Sequence, residues 1–188
     1  MVEALKGKGT CVKLQHIPST VKTVLTSYIL AKHNNITLIA DFLALNGHFL
    51  LHTKSRKIHF RTVVPIQDRT KATILKHVKM AINLHTTRGF IVNELIGDDE
   101  FACIKDKIIP VLLNLVTRGD HCGDIEISIK FLKELLRCLW NGLPFRCAPR
   151  VMITDGIDFC NDMINDLPTG VGIPDTLSPT TIVTGRLA

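Results

Sequence analysis

The sequence predicts one α/β domain built on a mixed sheet, in which three antiparallel strands are followed by parallel strands and helices flank the sheet. The first observation is a set of three closely spaced β-favouring runs, the first two joined by Asn46-Gly47. The second is an amphipathic helical pattern between the third run and a fourth apolar run. A strand, a helix and a strand in succession are typical of a parallel crossover.

The three antiparallel strands are predicted at about 36–45, 48–54 and 57–64. They comprise NITLIADFLAL, HFLLHTKS and KIHFRTVV. Asn-Gly between the first two runs is a strong hairpin signal, because both central positions of a type I′ turn need positive φ. Pro65 ends the third run.

The crossover helix is predicted at roughly 69–87, and Gly89 provides a stop. The run FIVNELI then forms the fourth strand and leads directly into GDDEF. The helix is amphipathic because its apolar face recurs at helical spacing, at Ile74, Leu75, Val78, Ala81, Ile82 and His85.

Downstream of this strand the pattern is mainly helical. IKDKIIPVLLNLV predicts a helix broken at Pro110, and DIEISIKFLKELLRCLW predicts a long helix that ends at Asn141-Gly142. A further helix is expected at about 149–166, and Ser178-Pro179 marks a helix start. Near the amino terminus, TVLTSYILA suits either a short helix or a strand.

These patterns divide the chain into an extension at 1–34, a core at 35–168 and a tail at 169–188. At 188 residues the chain is long enough for one domain with a genuine core. A composition of 46% hydrophobic and 21% charged residues excludes wholesale disorder.

The pattern of the cysteines and the short length of the apolar runs indicate a soluble intracellular protein. No run is long enough to span a membrane, and the first residues lack the apolar core of a signal peptide. His48 and His52, four residues apart on a strand, share a face and make a poor metal site. Six cysteines without a C-x-x-C pair predict reduced thiols: Cys11, Cys103, Cys122, Cys138, Cys147 and Cys160.

Three carboxylates are spaced so that the predicted fold brings them together. Asp41 lies inside the apolar first strand, where a charge is costly unless something binds it; an edge aspartate that reaches solvent is the alternative. Asp98 or Asp99 follows the fourth strand, and Glu126 begins the long helix. Converging carboxylates raise one another's pKa unless cations neutralise them, and hard oxygen ligands suit Mg²⁺ or Mn²⁺.

Three cations share a helical face with Glu126, namely Lys130, Lys133 and Arg137. They form either an ordinary solvated surface or a basic strip that holds a phosphate backbone. A net charge of +6 and a pI near 9.1 favour a polyanionic partner. Weaker candidates surround the second hairpin, where edge strands carry charge for solubility: Lys54, Arg56, Lys57 and Arg61.

In this order, the residues resemble the integrase catalytic core of long-terminal-repeat retrotransposons, on its copia-like side, over about residues 35–186. The family has a catalytic aspartate in its first strand, followed by a hairpin, as Asp41 and its Asn-Gly turn stand here. Its second aspartate opens an Asp-Asn-Gly-x-Glu-Phe motif, of which Asp98-Asp99-Glu100-Phe101 is a shortened form.

Two further segments match. The catalytic glutamate of the family follows a glycine by three residues, as Glu126 follows Gly123, and the closing Ser-Pro and Gly-Arg pairs are Ser178-Pro179 and Gly185-Arg186. In retroviral integrases, lysines four and seven residues after that glutamate contact DNA. Lys130 and Lys133 occupy those offsets.

The resemblance implies an RNase H-like fold and Mg²⁺-dependent polynucleotidyl transfer that joins element DNA ends to target DNA. Asp41, Asp98 and Glu126 would then be the catalytic metal ligands. DNA and further copies of the chain are the implied partners, and the nucleus is the implied location. It also implies that the chain is a piece of an element polyprotein.

Departures from the family pattern keep two alternatives open. Asp99 replaces the amide of the second motif, which is two residues shorter, and only 27 residues separate Asp98 from Glu126, fewer than in most members. In the first alternative, the chain is a non-catalytic, element-derived domain that keeps the fold and binds nucleic acid. In the second, it is a host RNase H-like nuclease.

Overall fold

A single mixed sheet organises the protein. The computed structural model describes residues 25, 27–116, 123–144, 149–170 and 176–186. Within these residues the strands are β1 (Asn35–Leu45), β2 (His48–Ser55), β3 (Arg61–Ile66), β4 (Ile91–Gly97) and β5 (Leu112–Leu115). Their order across the sheet is β3-β2-β1-β4-β5.

The pairing confirms the predicted change from antiparallel to parallel strands. β2 pairs antiparallel with both β1 and β3. β1 and β4 are parallel neighbours, as are β4 and β5. The predicted hairpin is also present, because Asn46 and Gly47 take φ values of 47° and 80° between β1 and β2. The central position of β1 places its residues between the two halves of the sheet.

Helices cover both faces of this sheet. Their bounds are α1 (Ser27–His33), α2 (Lys71–Thr86), α3 (Gly123–Asn141), α4 (Arg150–Asp166) and α5 (Pro179–Thr184), and a 3₁₀ helix spans Asp99–Lys107. The predicted crossover helix, the long helix and the helix at about 149–166 correspond to α2, α3 and α4. Within the described residues, none of these helices combines the length and apolarity needed to cross a membrane.

Two predicted elements were wrong in detail. The third strand begins at Arg61, not near residue 57, because Ser55 and Phe60 close a tight loop in which His59 has φ 62°. The segment predicted as a helix broken at Pro110 instead forms the end of the 3₁₀ helix and the short strand β5. Pairing of β5 with β4 satisfies its backbone, which the sequence pattern alone does not reveal.

Alternation along β1 divides the core into two layers. Leu38 and Ala40 belong to the larger core, which also contains buried residues of α2 and α5. Ile39 and Leu43 face the other way, toward buried residues of α3. Since successive side chains on a strand point to opposite faces, Asp41 lies on the α3 face between Ile39 and Leu43.

The ends of the described chain pack onto the larger core. Ile29 of α1 and Ile182 of α5 are both buried in it. The predicted helix start is confirmed, because Ser178 caps α5 by accepting a hydrogen bond from Thr181 N–H at 3.1 Å. Most of the predicted extension, residues 1–24 and 26, lies outside the described residues, as do residues 171–175, 187 and 188 of the predicted tail.

Cysteines in the described residues are free thiols. Cys103 and Cys138 are exposed, whereas Cys160 is buried against α3. Burial raises the pKa of the Cys160 thiol. The other three cysteines, Cys11, Cys122 and Cys147, lie outside the described residues.

Candidate active site

Asp41 is a half-buried carboxylate in the middle of an apolar strand. Its Oδ1 accepts a hydrogen bond of 2.7 Å from the backbone N–H of Phe42. Burial raises the pKa of Asp41, and the negative charges of Asp98, Glu126 and Glu100 raise it further, against the lowering effect of the Phe42 hydrogen bond. A carboxylate with three other carboxylates nearby is suited to bind a cation, because the cation offsets their mutual repulsion.

Asp98 lies beside Asp41 because of the strand register. Ile39 of β1 pairs with Ile96 of β4 in parallel, and each aspartate follows its isoleucine by two residues. β4 ends at Gly97, so Asp98 stands just beyond the carboxyl end of its strand. Parallel neighbouring strands therefore place both aspartates side by side toward the same end of the sheet, as the sequence predicted.

Asp98 also begins the 3₁₀ helix. Its Oδ1 accepts the backbone N–H of Glu100 at 3.1 Å, which caps that helix. Burial raises the pKa of Asp98, as do the charges of Glu100 and Asp99, whereas Arg69 and the capping hydrogen bond lower it. Asp99 itself is exposed.

The remainder of the acidic segment has structural partners. Glu100 forms an ion pair with Arg69, with Nη1 and Oε1 2.7 Å apart. Phe101 is fully buried, and its ring lies so close to Gly97 that an added Cβ there would be 2.7 Å from Cδ2. The segment therefore presents Asp98 at the site, while Glu100 and Phe101 fasten it to the domain.

Glu126 lies on α3, the helix that packs on the same face of the sheet as Asp41. It is exposed in the first turn of α3 and shares with Asp41 an open groove of about 390 Å³. Lys130, Lys133 and Arg137 line the same groove. The structure thus brings five of the six predicted site residues together in one groove. The sixth, Asp98, is not part of the lining of that groove but interacts electrostatically with Asp41.

The donor chemistry of this site fits Mg²⁺ or Mn²⁺, because three carboxylates supply hard oxygen ligands beside a solvent-open groove. Across the described ranges, no three carboxylate, imidazole or thiol groups are close enough to hold one metal ion together. Coordination of one ion by Asp41, Asp98 and Glu126 together therefore requires these side chains to rearrange.

A buried polar network fixes α3 over this part of the sheet. His52, the register partner of Asp41 on β2, places Nε2 2.9 Å from Ser128 Oγ and Nδ1 3.1 Å from the carbonyl oxygen of Thr62. The carbonyl must accept, so Nδ1 carries the proton and Nε2 accepts from the Ser128 hydroxyl. Ser128 Oγ in turn accepts from Arg61 Nε at 3.0 Å.

His52 stays neutral in this network. It is fully buried, and burial lowers its pKa from 6.5 to about 4, with the charges of Arg61 and Lys54 acting in the same direction and the Thr62 carbonyl opposing them. Sequence reasoning missed this network. Its only signals were a histidine within an apolar strand and a serine next to the apolar stripe of α3.

Three of the weaker DNA-binding candidates have partners within the protein. Arg56 pairs with Asp124 at 3.2 Å, and Lys54 Nζ donates to the carbonyl oxygen of Asp124 at 3.4 Å. Arg61 is held by Ser128 and by the carbonyl oxygen of His59. These cations therefore anchor the first turn of α3, which carries Glu126, to β2 and β3.

Comparison with known proteins gives a match in structure and none in sequence. No protein-family model matches the chain. No curated protein matches it either. By contrast, 289 chains of solved structures match its fold.

One of these structures is the catalytic core domain of BIV integrase. The match covers 79% of this chain and 93% of that domain, with a TM-score of 0.52 and 13% sequence identity. The five-stranded mixed sheet and its flanking helices account for the likeness. The chain therefore has the RNase H-like fold of a retroviral integrase catalytic core.

Proposed function

We propose that the protein is an integrase-like polynucleotidyl transferase, which joins element DNA ends to target DNA with Mg²⁺ or Mn²⁺. One observation carries the proposal: the parallel pairing of β1 and β4 places Asp41 beside Asp98, and Glu126 and a basic helical face share a groove with Asp41. The likeness to the BIV integrase core supports it at the level of the fold.

Asp41, Asp98 and Glu126 are the proposed metal ligands. A pair of ions held by these residues would supply activation of a hydroxyl nucleophile and stabilisation of the leaving oxygen of a phosphodiester. Asp41 is held within β1 and Asp98 directly after the end of β4, whereas Glu126 is exposed on the first turn of α3. Glu126 would therefore reach an ion by rotation of its exposed side chain on a helix that is itself anchored to the sheet.

Lys130, Lys133 and Arg137 are proposed to hold the DNA backbone. They line the groove beside Asp41 and Glu126, and phosphate contacts of this kind position a strand without reading its sequence. A phosphodiester seated on this strip faces the carboxylates. DNA as partner, assembly into a homo-oligomer and action in the nucleus belong to the same proposal.

A strand-transfer assay tests the proposal. The full chain is mixed with a labelled element-end duplex, a target plasmid and Mg²⁺ or Mn²⁺. We expect joined products that require the metal and are lost in Asp41→Asn, Asp98→Asn and Glu126→Gln. Asp106→Asn, an exposed position on the 3₁₀ helix, is the matched control and should retain activity. Metal-dependent joining that persists in all three site variants would refute the assignment.

The spacing of the carboxylates favours a second candidate function. Because no three ligands are within reach of one ion in the described part of the chain, a non-catalytic, element-derived domain that binds nucleic acid also suits the structure. In that case the chain binds DNA through the basic strip, shows no metal-dependent joining, and gains no thermal stability from Mg²⁺.

A further inference from the structure

A second groove continues from the first along α3. It has a volume of about 250 Å³ and shares Lys133 and Arg137 with the acidic groove. Its other walls come from the β1–β2 turn, the end of α3 and the start of α4, namely Leu45, Asn46, Leu136, Trp140, Asn141 and Ile153. An aromatic ring, two cations and two amides thus line one surface.

Trp140 is a fixed platform in this groove. It is the only tryptophan in the sequence. Its ring is partly exposed and packs beside Leu136 at the edge of the α3–α4 core. Gly156 of α4 permits this approach, since an added Cβ there would lie 3.4 Å from Trp140 Cζ3 and 3.0 Å from Leu136 Cδ1. The ring is therefore held in place while it remains accessible from the groove.

The polar groups of the groove suit a nucleotide. Lys133 and Arg137 supply positive charge for a phosphate, and the exposed side chains of Asn46 and Asn141 offer hydrogen-bond donors and acceptors. Cations that follow a backbone beside an aromatic ring that stacks bases are typical of single-strand binding surfaces. A base within a duplex has both faces covered, so the ring serves only an unpaired base.

We propose that this groove is a subsite for an unpaired nucleotide of a single-stranded DNA segment, with its base on Trp140 and its phosphates on Lys133 and Arg137. The proposal rests on the proposed function and deepens it, because it specifies that the DNA bound beside the active site is locally single-stranded. From Glu126 to Trp140 is about 21 Å along α3. The substrate therefore carries an unpaired base about that far from the reacting phosphate.

Fluorescence of Trp140 tests the subsite directly. The full chain is titrated in EDTA with oligothymidylate of about 15 nucleotides, which exceeds the roughly 21 Å from Glu126 to Trp140 even at about 3.4 Å per nucleotide. The comparisons are an abasic strand with equal phosphates and a blunt duplex. We expect saturable quenching by oligothymidylate and little change with the other two. Absence of quenching by oligothymidylate, or equal quenching by the abasic strand, would overturn the proposal.

Two variants extend the test by anisotropy of a labelled oligonucleotide. Trp140→Leu should weaken oligothymidylate binding about tenfold, Trp140→Phe should weaken it less, and neither should change binding of the abasic strand. Melting curves of both variants establish that they fold. Wild-type affinity that is equal for oligothymidylate and the abasic strand would show that phosphates alone are recognised, and would reject the subsite.

The titration is independent of catalysis, because it contains no divalent metal. Base-dependent quenching in a chain without strand-transfer activity would leave the subsite standing and reject only the proposed function. Strand transfer without base-dependent quenching would support the proposed function and reject the subsite.

Discussion

The rings of Phe42 and Phe101 stack with their centroids 5.0 Å apart and their planes within 14°. Phe42 follows Asp41 in β1, and Phe101 follows Asp98 by three residues. The stack lies on the sheet face opposite Asp41, and Arg69 lies over the Phe42 ring at 5.1 Å. It therefore links β1 to the 3₁₀ helix that begins after Asp98, on the side of the sheet away from the carboxylates.

The first prediction concerns the glycine beneath this stack. In Gly97→Ala the new Cβ would lie 2.7 Å from Phe101 Cδ2, so the buried ring must shift. We expect a loss of about 1–3 kcal/mol in the free energy of unfolding, measured by urea denaturation. Gly170→Ala is the control, because no described atom lies within 4 Å of its Cβ position. Equal stability of the two variants would show that the ring is not confined.

A second prediction follows from the raised pKa of Asp41. The folded protein binds this proton more tightly than the unfolded chain, so the stability that the group contributes is full below pH 3.8 and is lost as pH rises through the folded pKa. Ionised Asp41 therefore destabilises the metal-free fold at neutral pH. Asp41→Asn, which retains an acceptor for Phe42 N–H, should melt at a higher temperature than the wild type in EDTA.

Scanning calorimetry at several pH values measures this effect. The advantage of Asp41→Asn should shrink as pH falls through the raised folded pKa of Asp41 toward the ordinary value of 3.8, because the wild-type carboxyl becomes protonated in the folded protein. Asp106→Asn, at an exposed position of the 3₁₀ helix, should change the melting temperature little. An Asp41→Asn variant that is less stable than the wild type at neutral pH would contradict this account of the site.

The sequence predicted the features that depend on local chemistry. Asn46-Gly47 specified the hairpin, because the turn needs positive φ at both residues. The position of Asp41 in its strand and of Asp98 after β4 followed from apolar runs and from the rule that a strand, a helix and a strand give a parallel pair. The structure adds that Glu126 lines the same groove as Asp41.

Features that depend on distant contacts were not predictable in this way. β5 is four residues long, and its LLNL sequence follows Pro110 in a pattern that also suits a helix. Only pairing with β4 makes it a strand. His52 and Ser128 are 76 residues apart in the chain, and no local sequence pattern predicts their hydrogen bond.

A third prediction concerns His52. Because its folded pKa is about 4 and its ordinary value is 6.5, its contribution to stability is present above pH 6.5 and lost as pH falls toward 4. The loss amounts to roughly 3 kcal/mol when complete. Urea denaturation should show that His52→Gln is less stable than the wild type at neutral pH, by about 1–3 kcal/mol.

The difference between His52→Gln and the wild type isolates the histidine, since all other titrating groups are common to both. That difference should narrow steadily as pH is lowered from 6.5 toward 4. A constant difference over this range would mean that His52 is not held neutral by its burial beneath Ser128.

A fourth prediction concerns the basic strip. Lys133 lines both grooves, so Lys133→Gln should weaken binding to duplex and single-stranded DNA and reduce the salt dependence of log affinity by about one phosphate contact. Lys79→Gln, at an exposed position on α2, is the matched control. Fluorescence anisotropy over a range of salt concentrations gives both slopes. Equal slopes of log affinity against log salt concentration in Lys133→Gln and Lys79→Gln would show that the DNA does not bind at the basic strip.

Binding of Mn²⁺ tests the central claim most directly, because the claim is that Asp41, Asp98 and Glu126 form one divalent-metal site. Electron paramagnetic resonance of free Mn²⁺ measures how much metal the full chain binds in the presence of DNA. We predict saturable binding, with about two ions per site, that is lost in Asp41→Asn and kept in Asp106→Asn. The same binding curve for wild type and Asp41→Asn, or no saturable binding to the wild type, would contradict the claim.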